Sequence, residues 1–545
     1  MFTYLHRYVP ETWDAYEKAG FVRREDGINF PQSIQIDEWR KFNNLAAKGG
    51  KLWNILNERR TPFYIDRLQG GCFIEDYPYD MELINAYREM LGDNFWGFQM
   101  HEWMSNFMSD FNKVRSNGIR EWTEEAIIET IQRAYPMSHL FLEAMNAREL
   151  AENGIPEDAL AFLRDAERLY EKRQKFSNGD LLPVDSFFPA YNLAVKYKTK
   201  RWMPEVGAQT HDTRMQIAYA RGMAHAHNIP FGAYYEPWRG DPCCVCCYQR
   251  EGKNEWNIRP NSNDFPFSYL DENGGSSRSM QWRIHLYSYF AGAEFISEEW
   301  GLCNTFYDWN DFEISPYGQV KLDFIRFVDR YPDVGRIMTP IAIVIPEDMP
   351  ALDSIHSSPG SYVGFPVYGS YAERIQNVRN GLSALLRAST PMIGSEQTSL
   401  LNFTIPDALD IVHEGSFHPE AYEYAVDLTG NPAFAKNYVN KICKIEDVPA
   451  LLDTLLPIKV NGAVHHLINR CSDGSYYLLM LNNNGVMRTI EHGEQFLSEA
   501  DVDVFVDCAA LQLHVLEGDG TVREKDGDRY YIHIPAGGWL LAKLG

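Results

Sequence analysis

One unit recurs along the first 335 residues: a short apolar run followed by an amphipathic helical stretch. The runs fall at residues 3–9 (TYLHRYV), 62–68, 95–103, 181–187, 201–207, 230–238 and 294–301. Helical spacing fills 36–58, 81–92, 122–134, 157–178, 211–227 and 279–292. Parallel strands can be joined only by crossovers, so this alternation predicts a (β/α)8 TIM barrel in the α/β class. The eighth strand is expected within 136–150, PMSHLFLEAMNAREL, a stretch that reads equally well as helix.

The pattern changes near residue 335. TPIAIVIPED opens a new buried strand after a helix closed by Pro and Gly, and alternation continues to about residue 457 without a Gly-rich phosphate loop. From residue 458 short strands alternate with turn signals. The expected organisation is a barrel over 1–335, a small flavodoxin-like α/β domain over 336–457 and a C-terminal β-sandwich over 458–545.

The balance of 75 acidic against 51 basic residues, a net charge of −24, argues against nucleic acid or an anionic membrane as partner. The amino terminus has no apolar h-region, and no run of about 18 apolar residues offers a membrane span. Nine cysteines, an odd count, fit a reducing and hence cytoplasmic setting. A homo-oligomer is compatible with all of this.

In such barrels chemistry gathers at the carboxyl ends of the strands. Four of the expected strands end in glutamate: Glu102 in QMHEW, Glu205 in MPEVGAQ, Glu236 in YYEPW, and Glu298 or Glu299 in ISEEWG. Trp103, Tyr235, Trp238 and Trp300 lie beside them. Carboxylates among aromatic faces suit glycoside hydrolysis, which needs one protonated carboxyl for the leaving oxygen and one ionised carboxylate for water or the sugar. Each glutamate taken alone is as well explained by a surface ion pair, and each aromatic by a place in the core. Glu299 is preferred to Glu298 because alternation puts it on the face of Ser297, a small polar residue suited to a barrel lumen.

EVGAQTHDTRMQIAYARGMAHAHNIPFGAYYEPW, followed by WRIHLYSYFAGAEFISEEWG, resembles an arrangement in barrel glycoside hydrolases of family 98. Phe231–Gly232 stands where that pattern has "WG", and 239–278 reads as an inserted loop. The resemblance implies an inverting hydrolase of galactose-containing glycans, with Glu102 as general acid and Glu205 with Glu299 activating water. It implies no cofactor.

Asp66, Asp185, His101 and Gln209 are further candidates for contacts to sugar hydroxyls, as are Glu236 and Glu298. Asp66 serves equally as a helix cap or a partner of Arg67, and His101 as a structural histidine. His225 and His227, on the helix after Glu205, read as structural. The CCVCC cluster at 243–247 has C-x-x-C spacing, but five adjacent residues wrap poorly around one ion, so no metal is expected. Cys443 does not sit at a strand-to-helix elbow, which argues against an amidotransferase. Two alternatives stand beside the hydrolase: a retaining exo-glycosidase using the same carboxylates, and a non-catalytic carbohydrate-binding protein.

Overall fold

The computed structural model describes residues 2–30, 42–65, 79–101, 104, 108, 114, 116, 118, 121–134, 144–185, 189–207, 212–237, 273–299, 305–307, 311–348, 360–387, 392–394, 400–489 and 491–545. Strands β1 (Thr3–Arg7), β2 (Gly27–Phe30), β3 (Phe63–Ile65), β4 (Phe95–His101), β5 (Leu181–Asp185), β6 (Met203–Gly207), β7 (Gly232–Glu236) and β8 (Phe295–Glu298) pair in sequence order. All the pairings are parallel, and β8 returns to β1 to close the barrel.

The eighth strand is β2 and not the stretch 136–150, whose described part opens the helix Ala144–Asn153. GINF is four residues long, too short for its Ile28–Asn29–Phe30 alternation to stand out from the flanking sequence. It becomes a strand because it slots between β1 and β3, with Ile28 and Phe30 buried in the outer core. Gly27 permits the fit: a Cβ there would lie 2.5 Å from Leu5 Cδ2 and 2.9 Å from the Pro62 carbonyl oxygen.

Leu5, Tyr64, Trp96, Leu182, Val184, Met203, Tyr234 and Phe295 form a separate apolar cluster inside the barrel. The barrel is thus a filled core, not a pore. The opposite faces of the strands join the large outer core under the helices. In β4 the register slips at Gly97, whose φ of +79° and lack of Cβ let it pass the Asp180 carbonyl. Beyond this bulge Phe98 packs outward against Tyr79 and Phe176, while Gln99 pairs with the lumen residue Leu182.

After the barrel, β9 (Arg336–Ile337) leads into β10 (Ile341–Ile345). β10 lies in a four-stranded parallel sheet in the order Leu409–His413, β10, Tyr424–Asp427, Ile442–Cys443. Numbered along the chain this order is 2-1-3-4, as in flavodoxin-like sheets. The C-terminal region folds into a four-stranded and a five-stranded antiparallel sheet, a β-sandwich, and β9 is an edge of the larger sheet.

These appended sheets cover two barrel helices. In Thr213–His227, every residue from Thr213 to Ala224 is buried, because the parallel sheet packs on the side away from the barrel. Arg221 is enclosed there, with Nε 2.6 Å from Asp410 Oδ1 and Nη2 3.2 Å from Asp407 Oδ1. His225 also meets Asp410, at 3.3 Å, and His227 meets Ser416 at 2.9 Å. The helix Arg278–Phe290 is covered in the same way by the sandwich, through Trp282 on Trp539 and Arg283 on Asn483.

Candidate active site at the carboxyl ends of the barrel strands

Alternation along β6, β7 and β8 decides what faces the lumen. Met203, Tyr234 and Phe295 belong to the inner cluster, so Glu205, Glu236 and Ser297 share their faces. In register, Glu205 stands beside Tyr234, and Tyr234 beside Ser297. One step higher, Gly207 is paired with Glu236. The amide of Glu299 donates to the Tyr235 carbonyl at 2.9 Å, which carries the β7–β8 ladder one residue past β8. Glu299 therefore continues the face of Ser297 and stands next to Glu236.

Three carboxylates thus meet the lumen on consecutive strands, with relative exposures of 2% for Glu205, 6% for Glu236 and 5% for Glu299. Adjacent parallel strands lie about 4.8 Å apart, so the Glu236 and Glu299 backbones are direct neighbours. Glu205 is two strands from Glu299 and about 6.6 Å lower along the barrel. Two local features hold this arrangement. Gln216, on the covering helix, donates to the Glu205 carbonyl at 2.8 Å. Gly207 leaves room for its neighbour, since a Cβ there would fall 2.0 Å from the Glu236 carbonyl oxygen.

Polar groups line the lumen around these carboxylates. Asn29 donates to Tyr64 Oη at 3.0 Å and to Ser297 Oγ at 3.1 Å, and those two hydroxyls are 3.0 Å apart. Arg7 Nη2 donates to Tyr234 Oη at 3.1 Å and places a buried cation in the same lumen. Sequence reasoning missed Arg7, Asn29, Tyr64 and Ser297 as a polar network and noted Tyr234 only as an aromatic beside Glu236. Asn29 lay in the unrecognised strand, whereas Arg7 and Tyr234 could have been found by carrying alternation through TYLHRYV and GAYYE.

Two expected sugar contacts are turned away from the lumen. Glu298 lies behind β8, with Oε2 2.6 Å from Lys321 Nζ and Oε1 3.2 Å from both His285 Nε2 and Gln281 Nε2. Burial by itself would raise its pKa, but Lys321 and His285 outweigh it and hold the carboxyl well below the ordinary glutamate range. Tyr235 likewise faces outward, 1% exposed, with its ring 5.2 Å from His285 and its hydroxyl bonded to Ser276. It is core, not a platform for sugar. The cause in both cases is the two-residue period, which sends neighbours in YYE and SEE to opposite faces.

His101 is the last residue of β4. Asp66, Glu102, Trp103, Gln209, Trp238 and Trp300 lie outside the described residues, as does the cysteine cluster at 243–247. Asp185, at the end of β5, is fully buried and accepts the Met104 amide at 2.9 Å, which ties down the chain after β4.

No family model and no curated protein matches the chain. Among solved structures it is similar to a polyextremophilic β-galactosidase from the Antarctic haloarchaeon Halorubrum lacusprofundi. The TM-score is 0.40 at 10% identity, over 99% of this chain and 98% of that one.

Proposed function

We propose that the chain is a glycoside hydrolase that cleaves O-glycosidic bonds of an oligo- or polysaccharide by carboxylate general acid/base catalysis. The observation that carries this reading is the grouping of Glu205, Glu236 and Glu299 at the lumen ends of three consecutive strands, each nearly buried. Carboxylates converging on one lumen from neighbouring strands are what general acid/base hydrolysis of an acetal uses. Glu299 accepts the proton of the attacking water. Glu236, its neighbour in register, shares that water, and Glu205 holds the sugar from one layer deeper. Glu102, just past the end of β4, protonates the leaving oxygen.

The likeness of the two sequence stretches to family 98 barrels adds two finer points to the reading, inversion at the anomeric carbon and a galactose-containing substrate. Both are tested together with hydrolysis. A panel of aryl glycosides and plant or mucin-type oligosaccharides is incubated with the chain, and the product anomer is followed by NMR at early times. The expected result is turnover of at least one glycoside, with inversion, that Glu299→Gln and Glu236→Gln abolish. A covalent glycosyl adduct would assign the same carboxylates to a retaining enzyme. Oligosaccharide binding without turnover would leave a carbohydrate-binding protein, and neither binding nor turnover would overturn the reading.

A further inference from the structure

A cleft of about 730 Å³ opens where the barrel, the parallel sheet and the C-terminal sandwich meet, lined among others by Asp333, Met338, Ala421 and Ser472. Two arginines, Arg336 and Arg470, share its wall. They are direct partners in the antiparallel pairing of β9 with His465–Arg470. The next pair in that register, Ile337 and Asn469, is buried, so both arginines project from the outer face. We propose that this cleft is a binding site for a tetrahedral oxyanion of the phosphate or sulfate type, held between Arg336 and Arg470.

Like charges directly opposite each other across a strand pair destabilise the pair. Here nothing in the described structure relieves them, because neither guanidinium makes an ion pair or hydrogen bond with the described residues. None of the nearby acids forms an ion pair with either arginine. Asp333 accepts the Gly335 amide at 2.9 Å, Asp473 is held by Ser475 and Lys543, and Asp410 by Arg221. A chain with a net charge of −24 has no shortage of carboxylates to place there, yet the cleft sets two cations against one carboxylate, Asp333, which forms no ion pair with either arginine. The backbone is also shaped for the pairing. Gly335 has φ +72°, and a Cβ on it would lie 2.6 Å from the Arg470 carbonyl oxygen, so the turn that sets Arg336 against Arg470 requires glycine. Two guanidinium forks facing one space match the geometry of an oxyanion, and the Ser472 hydroxyl lies on the same wall. This site is separate from the barrel lumen and does not depend on the hydrolase reading.

The test is titration with inorganic phosphate and inorganic sulfate, followed by calorimetry and by thermal unfolding, against chloride at equal ionic strength. Wild type should bind one anion saturably and gain in Tm. Arg336→Gln and Arg470→Gln should each weaken binding about tenfold or more, the loss of one charge-assisted contact, and the double variant should not bind. In chloride alone the variants should unfold no lower than wild type, because the like-charge contact is gone. A hexose 6-phosphate separates two sources of the same group: tighter binding than inorganic phosphate assigns the site to a sugar-borne anion, and equal or weaker binding to the free ion. Equal shifts in wild type and the double variant, or no shift in either, would overturn the site.

Discussion

Lys321 holds Glu298 at 2.6 Å behind β8, while Glu299, the next residue, stands in the lumen beside Glu236. Two adjacent acids in ISEEWG therefore have unrelated surroundings. One is locked in an ion pair between strand and helix, 3% exposed on its side chain, and the other reaches the space where a ligand would lie. The lock fixes the end of β8, and with it the position of Glu299.

Lys321→Met should be strongly destabilising, by about 3–5 kcal/mol, because it strands a buried carboxylate without its lysine. Pairing it with Glu298→Gln should recover part of that loss, and urea unfolding of the two singles and the double measures the coupling.

The same pair makes a prediction in acid. The folded pKa of Glu298 is depressed below its ordinary 4.5, so its contribution to stability is present above about pH 4.5. It is lost as pH falls further toward the folded value. Asp407 and Asp410 behave in the same way: burial would raise both, but Arg221 outweighs it and lowers Asp410 to about 2. Wild-type stability should therefore fall with decreasing pH below about 4.5. Lys321→Met should show a shallower acid slope, measured as Tm against pH. An unchanged slope would mean that Glu298 is not the titrating group.

The helix Thr213–His227 is clamped to the parallel sheet at Arg221 and Gly222. A Cβ on Gly222 would lie 2.4 Å from the Ile411 carbonyl oxygen. Gly222→Ala should therefore cost about 1–3 kcal/mol by overpacking. Arg221→Met should cost more, since Asp410 would be left buried without its arginine and Asp407 would keep the more distant Arg214, at 3.8 Å. Guanidinium unfolding of both variants gives the comparison, and a Gly222→Ala midpoint equal to wild type would show that the helix can back away from the sheet.

The barrel was legible because its strands are apolar runs and its helices are periodic, and period is a property of the local sequence. The strand Gly27–Phe30 was not, because a four-residue element takes its identity from Leu5 and Pro62 on its neighbours. At the site, alternation placed Glu299 on the lumen side once Ser297 was placed there, while Glu205 and Glu236 were singled out only as carboxylates at strand ends. Tyr235 was misread as a platform because its aromatic character was weighed and its phase against Tyr234 was not. Nothing in the local sequence marks Arg221 and Lys321 for burial, and the sheet packed over one and the strand behind the other explain why they are buried.

Glu102→Gln tests the general acid. If Glu102 donates the proton to the leaving oxygen, its loss should slow natural glycosides by about 10²–10⁴-fold. Aryl glycosides with acidic phenol leaving groups, which need little protonation, should lose much less. Activity on natural glycosides close to wild type, with the fold intact by circular dichroism, would remove Glu102 from the mechanism.

The final prediction concerns how the three lumen glutamates divide the work. Glu236 and Glu299 are neighbours in register, whereas Glu205 is two strands from Glu299 and one layer down. Adjacent strands lie about 4.8 Å apart, so the two side chains leave neighbouring backbones on one face and can reach one water. Glu236→Gln and Glu299→Gln should each abolish turnover, and the double variant should lose little more than the worse single, because the two act on one water. Glu205→Gln should behave differently. As a group that holds the sugar from below, it should raise KM more than it lowers kcat, and its effect should add to that of Glu299→Gln in the double variant. If Glu205→Gln instead abolishes kcat and is non-additive with Glu299→Gln, the water is shared across two strands, and Glu236 becomes the residue that positions the sugar.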